Sequence, residues 1–215
     1  MKALLSTYLL LALLSPVTPL KCRTCFGCEE KCQDEDVRIE ECEYDQDACL
    51  TITTDYSLMD LPLRFTYKGC AKYNECYKGY YSLTSANTKS FQAKIECCHT
   101  DECNAQDLHL PDHNSQPLNG VQCPVCFAED ADYCDSQGKT IQCRGIENEC
   151  VDYTLDFSPL GLHPITFTAK GCASSDVCSF PTGNTTVANG LVKLMIYQLQ
   201  CQGVKESSKH PKDEI

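Results

Sequence analysis

One phrase is written twice in this chain. Residues 65–76 read Phe-Thr-Tyr-Lys-Gly-Cys-Ala, four residues, then Cys. Residues 167–178 read Phe-Thr-Ala-Lys-Gly-Cys-Ala, four residues, then Cys. A repeat this close turns the question of the fold into one about a duplicated module. Cysteine spacing extends it. From Cys22, with Cys28 left out, the intervals to Cys97 are 3, 7, 10, 7, 21, 6 and 21. From Cys123 to Cys201 they are 3, 8, 9, 7, 22, 6 and 23. The comparison marks Cys28 as the odd cysteine and leaves Cys98 and Cys103 without counterparts in the second module.

The compartment follows from the start of the chain. Lys2 supplies a positive end, an apolar run follows from Leu4 to Leu14, and Ser15-Pro16-Val17-Thr18-Pro19 closes it. That pattern reads as a secretory signal peptide over 1–19, and it is shorter than the roughly 20 apolar residues of a spanning helix. The secretory route is oxidising, so the 19 cysteines read as disulfides rather than metal ligands. Each module is too small for a large core and needs such staples. No apolar tail follows, so no stable membrane anchor is expected. Lys212-Asp213-Glu214-Ile215 resembles a retrieval signal imperfectly, the usual form ending in Leu, and 204–215 is read as a solvated polar tail.

Between the cysteines the pattern alternates as in strands. Cys49–Tyr56 and Arg64–Lys68 form one expected hairpin, and Cys150–Phe157 with Ile165–Ala169 the matching one. Further hairpins are expected to join Cys76–Tyr81 to Phe91–Cys98, and Cys178–Phe180 to Leu191–Cys201. The fold class is all-β and disulfide-rich. Residues 105–120 hold no cysteine and many turn formers (Pro111, Asn114, Ser115, Pro117, Gly120), as a linker does. Domains are expected at 20–104 and 121–203, with the linker leaving their mutual orientation open.

Chemistry by side chains has little support. Cys22-x2-Cys25-x2-Cys28 and Cys123-x2-Cys126 have redox or zinc spacing, but secretion favours structural bridges. His109 and His113 have the spacing of a helical metal pair, with Pro111 between them to break a helix. No nucleophile elbow or phosphate loop occurs, and no catalytic residue, metal site or cofactor is expected. The net charge is −12, and ten acidic residues lie between Glu29 and Asp47 against Lys31 and Arg38. Such a surface repels nucleic acid and suits a cationic partner. Asn184-Thr185-Thr186 is an N-glycosylation sequon in a turn region. Three fates stand open for Cys28: a free thiol, a bridge to a second copy that would make a homo-oligomer, or competition for the partner of Cys25.

The opening Cys-x2-Cys, the Lys-Gly-Cys-Ala phrase and the closing Cys97-Cys98-x4-Cys103-Asn104 resemble the three-finger domain shared by snake toxins, lymphocyte antigens and the urokinase receptor. The second module lacks the closing motif. Pro117-Leu-Asn-Gly-Val-Gln-Cys-Pro-Val-Cys126 and Cys143-Arg-Gly-Ile-Glu-Asn-Glu-Cys150 resemble the gamma-type phospholipase A2 inhibitors, secreted two-domain proteins whose second domain likewise holds eight cysteines. The resemblance implies two tandem three-finger domains. It implies the pairs Cys22–Cys49, Cys25–Cys32, Cys42–Cys70, Cys76–Cys97 and Cys98–Cys103, then Cys123–Cys150, Cys126–Cys134, Cys143–Cys172 and Cys178–Cys201, with Cys28 unpaired. It also implies a protein partner, a secreted phospholipase A2, blocked by occlusion without chemistry. The sodefrin-precursor-like pheromones and a soluble urokinase-receptor-like decoy are similar alternatives. Binding is expected on the fingertips Tyr56–Leu63, Tyr77–Ser90 and Phe157–Pro164, because the cysteine hub is structural.

Overall fold

The computed structural model describes residues 18–28, 31–58, 63–86, 89–131, 133–159 and 161–203. Nearly all of the leader and the whole polar tail lie outside the described residues, as do parts of the expected fingertips, 59–62, 87–88 and 160.

The first module is built on β3 (Ala48–Tyr56) and β4 (Leu63–Ala71), paired antiparallel from Ala48↔Ala71 to Tyr56↔Leu63. Side chains alternate across a strand. Leu50, Ile52 and Tyr56 therefore share the apolar face, where all three are buried. Thr53 and Thr66 meet on the opposite face, their hydroxyls 3.0 Å apart. The outer edge of β3 takes β6 (Ser90–Cys98), and β6 takes β5 (Gly79–Thr84). Beyond β4 lie β1 (Lys21–Gly27) and then β2 (Arg38–Glu41).

The second module repeats the plan. A long hairpin of β10 (Glu149–Pro159) and β11 (Ile165–Ala173) is flanked by β13 (Val192–Gly203) and β12 (Gly183–Val187). A short β8 (Cys126–Glu129) lies against β11, while β7 (Leu118–Pro124) and β9 (Thr140–Arg144) make a separate pair. The chain is mostly β-strand, as the all-β expectation has it. One expected strand does not form: Cys178 ends a single helical turn, α1 (Ser175–Cys178), and β12 begins only at Gly183. The turn is held from outside. Ser174 just before it and Asp176 within it bond to the first module, Asp176 Oδ2 accepting the Tyr80 N–H at 2.7 Å.

Nine disulfides close the two hubs. They are Cys22–Cys49, Cys25–Cys32, Cys42–Cys70, Cys76–Cys97 and Cys98–Cys103, then Cys123–Cys150, Cys126–Cys134, Cys143–Cys172 and Cys178–Cys201. In each hub two bridges lie side by side, so Cys22, Cys42 and Cys70 cluster, as do Cys123, Cys143 and Cys172. All six are oxidised and buried, which leaves no thiolate there for a metal. The Cys143–Cys172 bridge spans 29 residues, and a loop that long is worth about 3.6 kcal/mol in the chain-entropy model. The C143S/C172S variant is expected to lose about that much in urea unfolding. A loss below about 1 kcal/mol would mean that the hub holds its shape by packing alone.

The modules are not separate bodies on a tether. β5 of the first pairs with β11 of the second at Ala173↔Leu83 and Cys172↔Thr84. That contact joins both into one sheet of eleven strands, ordered β12-β13-β10-β11-β5-β6-β3-β4-β1-β2 with β8 on β11. Tyr56, Leu58 and Leu83 of the first module share a core with Val151, Tyr153, Phe157 and Phe167 of the second. The segment 105–120 is tied down as well. Lys68, 3% exposed at its side chain, donates to the Ala105 carbonyl at 2.9 Å and pairs with Asp107 at 2.8 Å.

Candidate functional site

Polar side chains lock the two modules at the β5–β11 junction. Ser174 N–H donates to the Ser82 carbonyl at 2.8 Å, and Ser82 N–H donates to Ser174 Oγ at 3.0 Å. Ser85 Oγ, fully buried, lies 2.8 Å from the Cys126 carbonyl and 2.9 Å from that of Lys170. At the centre sits Glu147, 1% exposed. Its carboxylate accepts the Ser82 hydroxyl at 2.7 Å and the Thr84 hydroxyl at 2.8 Å. His113 Nε2 lies 3.3 Å from the same carboxylate and 2.6 Å from Thr84 Oγ1. Burial, and then the Glu147 charge, push the neighbouring Tyr80 phenol up to about 12. Glu147 belongs to the Cys143–Cys150 motif, and its neighbours serve the same lock: Gly145 N–H donates to the Pro117 carbonyl at 2.9 Å, and Arg144 Nη1 to that of Gln116 at 2.9 Å. The motif is structural. His113, considered above as a metal ligand with His109, is a hydrogen-bonding member of this junction.

The junction also removes much of the expected docking surface. Tyr56, Leu58, Leu83 and Phe157, all within the fingertip ranges, are buried. Tyr56 and Phe157 stack across the modules with ring centroids 4.8 Å apart. Apolar fingertip residues facing one another bury more surface than fingertips facing water, and that gain outweighs keeping them free. Of the second hairpin's tip, residues 161–164 remain exposed.

What stays open is the acidic flank. A short 3-10 turn over Asp34–Asp36 leads into β2, every residue of which is exposed and which ends the sheet. A surface groove of about 470 Å³ runs along it, lined by Asp36, Glu40, Glu41 and Glu43 against Arg38 and Lys68, with Phe26 and Tyr67 among the rest. Ile39 and Tyr44 stand out beside it, 55% and 103% exposed. Lys72 pairs with Asp45 and holds its carboxyl below the usual range, and Lys21 reaches Glu41 at 3.4 Å. Among the described residues, Asp34, Glu35, Asp36, Glu40 and Glu43 have no ion-pair partner. The flank thus presents net negative charge around exposed apolar groups, a combination suited to a cationic protein surface.

The remaining singled-out residues fall outside both regions. Cys28 carries an exposed free thiol, because Cys25 is bonded to Cys32. Asn184 is exposed on β12, at the opposite end of the sheet from β2. His99 Nδ1 is 2.9 Å from the Asp47 carbonyl, near the hub. Ser82 and Thr84 fall in the fingertip range Tyr77–Ser90, expected to meet an outside partner, and instead meet the second module; Glu147 and Ser174 lie in motifs whose residues carry no sign of that contact.

Known proteins resemble this arrangement over most of its length. Residues 20–105 match the phospholipase A2 inhibitor family, and residues 119–210 match the u-PAR/Ly-6 domain. The chain is 28% identical over 179 residues to the phospholipase A2 inhibitor NAI of Notechis ater, covering 83% of this chain and 86% of that protein. It is 30% identical over 175 residues to the phospholipase A2 inhibitor PIP of Malayopython reticulatus, covering 81% and 84%. The urokinase plasminogen activator surface receptor of Bos taurus is 30% identical over 162 residues, which is 46% of that longer protein. With its two disulfide-closed modules and these relatives, the chain belongs to the phospholipase A2 inhibitor family of u-PAR/Ly-6 proteins.

Proposed function

We propose that the protein is a secreted, non-enzymatic inhibitor of phospholipase A2 that acts by occlusion. The reading rests chiefly on the relatives named as such inhibitors, two of which match more than four-fifths of this chain. The fused modules offer a rigid body, which lowers the ordering cost of docking. The exposed acidic flank over Asp34–Glu43 supplies charge complementary to basic enzymes and would face the partner. Contact there would hold the enzyme off its lipid surface, and no bond need be made or broken.

Titration of the purified mature protein against acidic, neutral and basic secreted phospholipases A2 tests this. Hydrolysis of a vesicle substrate is expected to fall at micromolar inhibitor, most for the basic enzyme. The E40K/E43K variant is expected to slow association about tenfold at low salt, with the difference shrinking as salt rises. Unchanged hydrolysis of all three enzymes, with no pull-down, would sink the inhibitor reading. Inhibition that ignores the charge reversal would move the docking face elsewhere.

A further inference from the structure

Where the two modules face one another they do not fill the space between them. A cavity of about 160 Å³ lies there, walled by Leu83 and Phe91 of the first module and by Leu155, Phe157 and Phe167 of the second, among others. Its lining includes no charged side chain. An engineered protein cavity of about 150 Å³ with Leu, Ile and Phe walls stays dry and admits benzene, so this space is of the right size and character for one small apolar ring.

A second observation gives the site a chemical preference. Thr54, Tyr56 and Tyr153 belong to the cavity wall, and each is less than one-tenth exposed. Their hydroxyl oxygens, Thr54 Oγ1, Tyr56 OH and Tyr153 OH, are buried and meet no hydrogen-bond partner among the described residues. Buried hydroxyls almost always find a partner, since leaving one unpaired costs the whole of its desolvation. Burial also raises both tyrosines above the ordinary phenol value, so they stay neutral and can donate. Three neutral donors without a nearby cation favour a neutral acceptor over a carboxylate, whose charge would be stranded.

We propose that the interdomain cavity binds a neutral, apolar molecule about the size of a substituted benzene that carries one hydrogen-bonding oxygen. The ligand would fill the apolar space with its ring and satisfy the Tyr153 and Tyr56 hydroxyls with its oxygen. Leu63, Phe91 and Leu194 of its wall are only half-buried, so the space reaches the surface and a ligand can enter without parting the β5–β11 junction. This binding is separate from the acidic flank and from any effect on phospholipase.

The test compares 4-methylphenol with toluene on the full mature protein, by calorimetry and by methyl shifts of Leu83 and Leu155. Both probes are expected to bind, the phenol about five- to tenfold more tightly, as one net hydrogen bond allows. Tyr153→Phe is expected to narrow that ratio to about twofold while keeping toluene, and Tyr56→Phe serves the same purpose should the first variant not fold. Ala93→Leu, placed on the wall, is expected to reduce binding of both probes. The proposal is overturned if neither probe shifts the cavity methyls, if toluene and 4-methylphenol bind equally, or if Ala93→Leu folds and binds both as the parent does.

Discussion

Gly171→Ala is expected to cost about 3 kcal/mol of stability and to loosen the contact between the modules. Gly171 sits in the second copy of the Lys-Gly-Cys-Ala phrase, directly before the residues of β11 that pair with β5. A Cβ built there would stand 1.9 Å from the Thr84 carbonyl oxygen and 3.1 Å from Ser85 Cα. Both obstacles are backbone atoms of the first module, held by the ladder, so neither can swing aside. The modules would have to separate, which would strain the Ser82–Ser174 hydrogen bonds and the Glu147 cluster together. Gly69, its counterpart in the first copy, is the control. A Cβ there meets chiefly the end of the Tyr67 ring, with the hydroxyl at 2.4 Å. A side-chain end can shift, although Tyr67 OH would then give up the hydrogen bond it accepts from Asn189. Gly69→Ala is therefore expected to cost about 1 kcal/mol. Urea unfolding measures both, and proteolysis at the junction reports separation. Equal costs for the two variants would mean that the junction tolerates movement.

Glu147→Ala is the second large effect, expected at about 3 kcal/mol. The side chain is almost wholly buried and, from the turn between β9 and β10, serves two hydroxyls and an imidazole from elsewhere in the chain. Truncation leaves the Ser82 and Thr84 hydroxyls and His113 with an emptied acceptor, and stranded buried donors cost about 1–3 kcal/mol each before relaxation. Glu147→Gln keeps one acceptor oxygen and is expected to cost about half as much. A double-mutant cycle with Ser82→Ala separates the pair from the general loss, with a coupling of about 1 kcal/mol expected. A coupling near zero would show that water replaces the carboxylate without penalty. Both variants also test a functional consequence: an inhibitor that relies on a rigid body should lose affinity when the junction loosens, even though neither residue is on the acidic flank.

The difference between what was legible and what was not is clear at these two positions. Gly171 belongs to a repeated phrase, so its importance is visible in the chain, but the repeat suggests a role shared by both modules. In the structure Gly69 meets a side chain and Gly171 meets another module's backbone. Glu147 carries no sequence signal of its own. An acidic residue between Ile146 and Asn148 reads as one more surface charge until Ser82 and Thr84, more than sixty positions earlier, are brought against it. The fingertips show the same limit from the other side. Tyr56 and Phe157 stand at matching places in their hairpins, and exposure is the natural expectation for each alone. It fails because the hairpins face each other. Cys178–Phe180 reads as one arm of a hairpin with Leu191–Cys201, yet Cys178 ends a helical turn, since the contacts that hold Ser174 and Asp176 come from the other module.

The duplicated module, its alternating strands, the odd position of Cys28 and the acidic run before Asp47 are all set by the order of residues along the chain. These features are local, written in spacing and in the two-residue period of a strand, and they need no partner to be read. That the modules fuse through β5 and β11, that the fingertips are spent on each other, and that the acidic flank and the interdomain cavity remain open emerges only in the folded molecule. The physical reason is that strand pairing runs through backbone groups every residue carries, so no side-chain pattern names which edge will meet which. The choice is made by shape and by a few buried polar groups, Glu147 foremost, that are satisfied in one arrangement of the two halves.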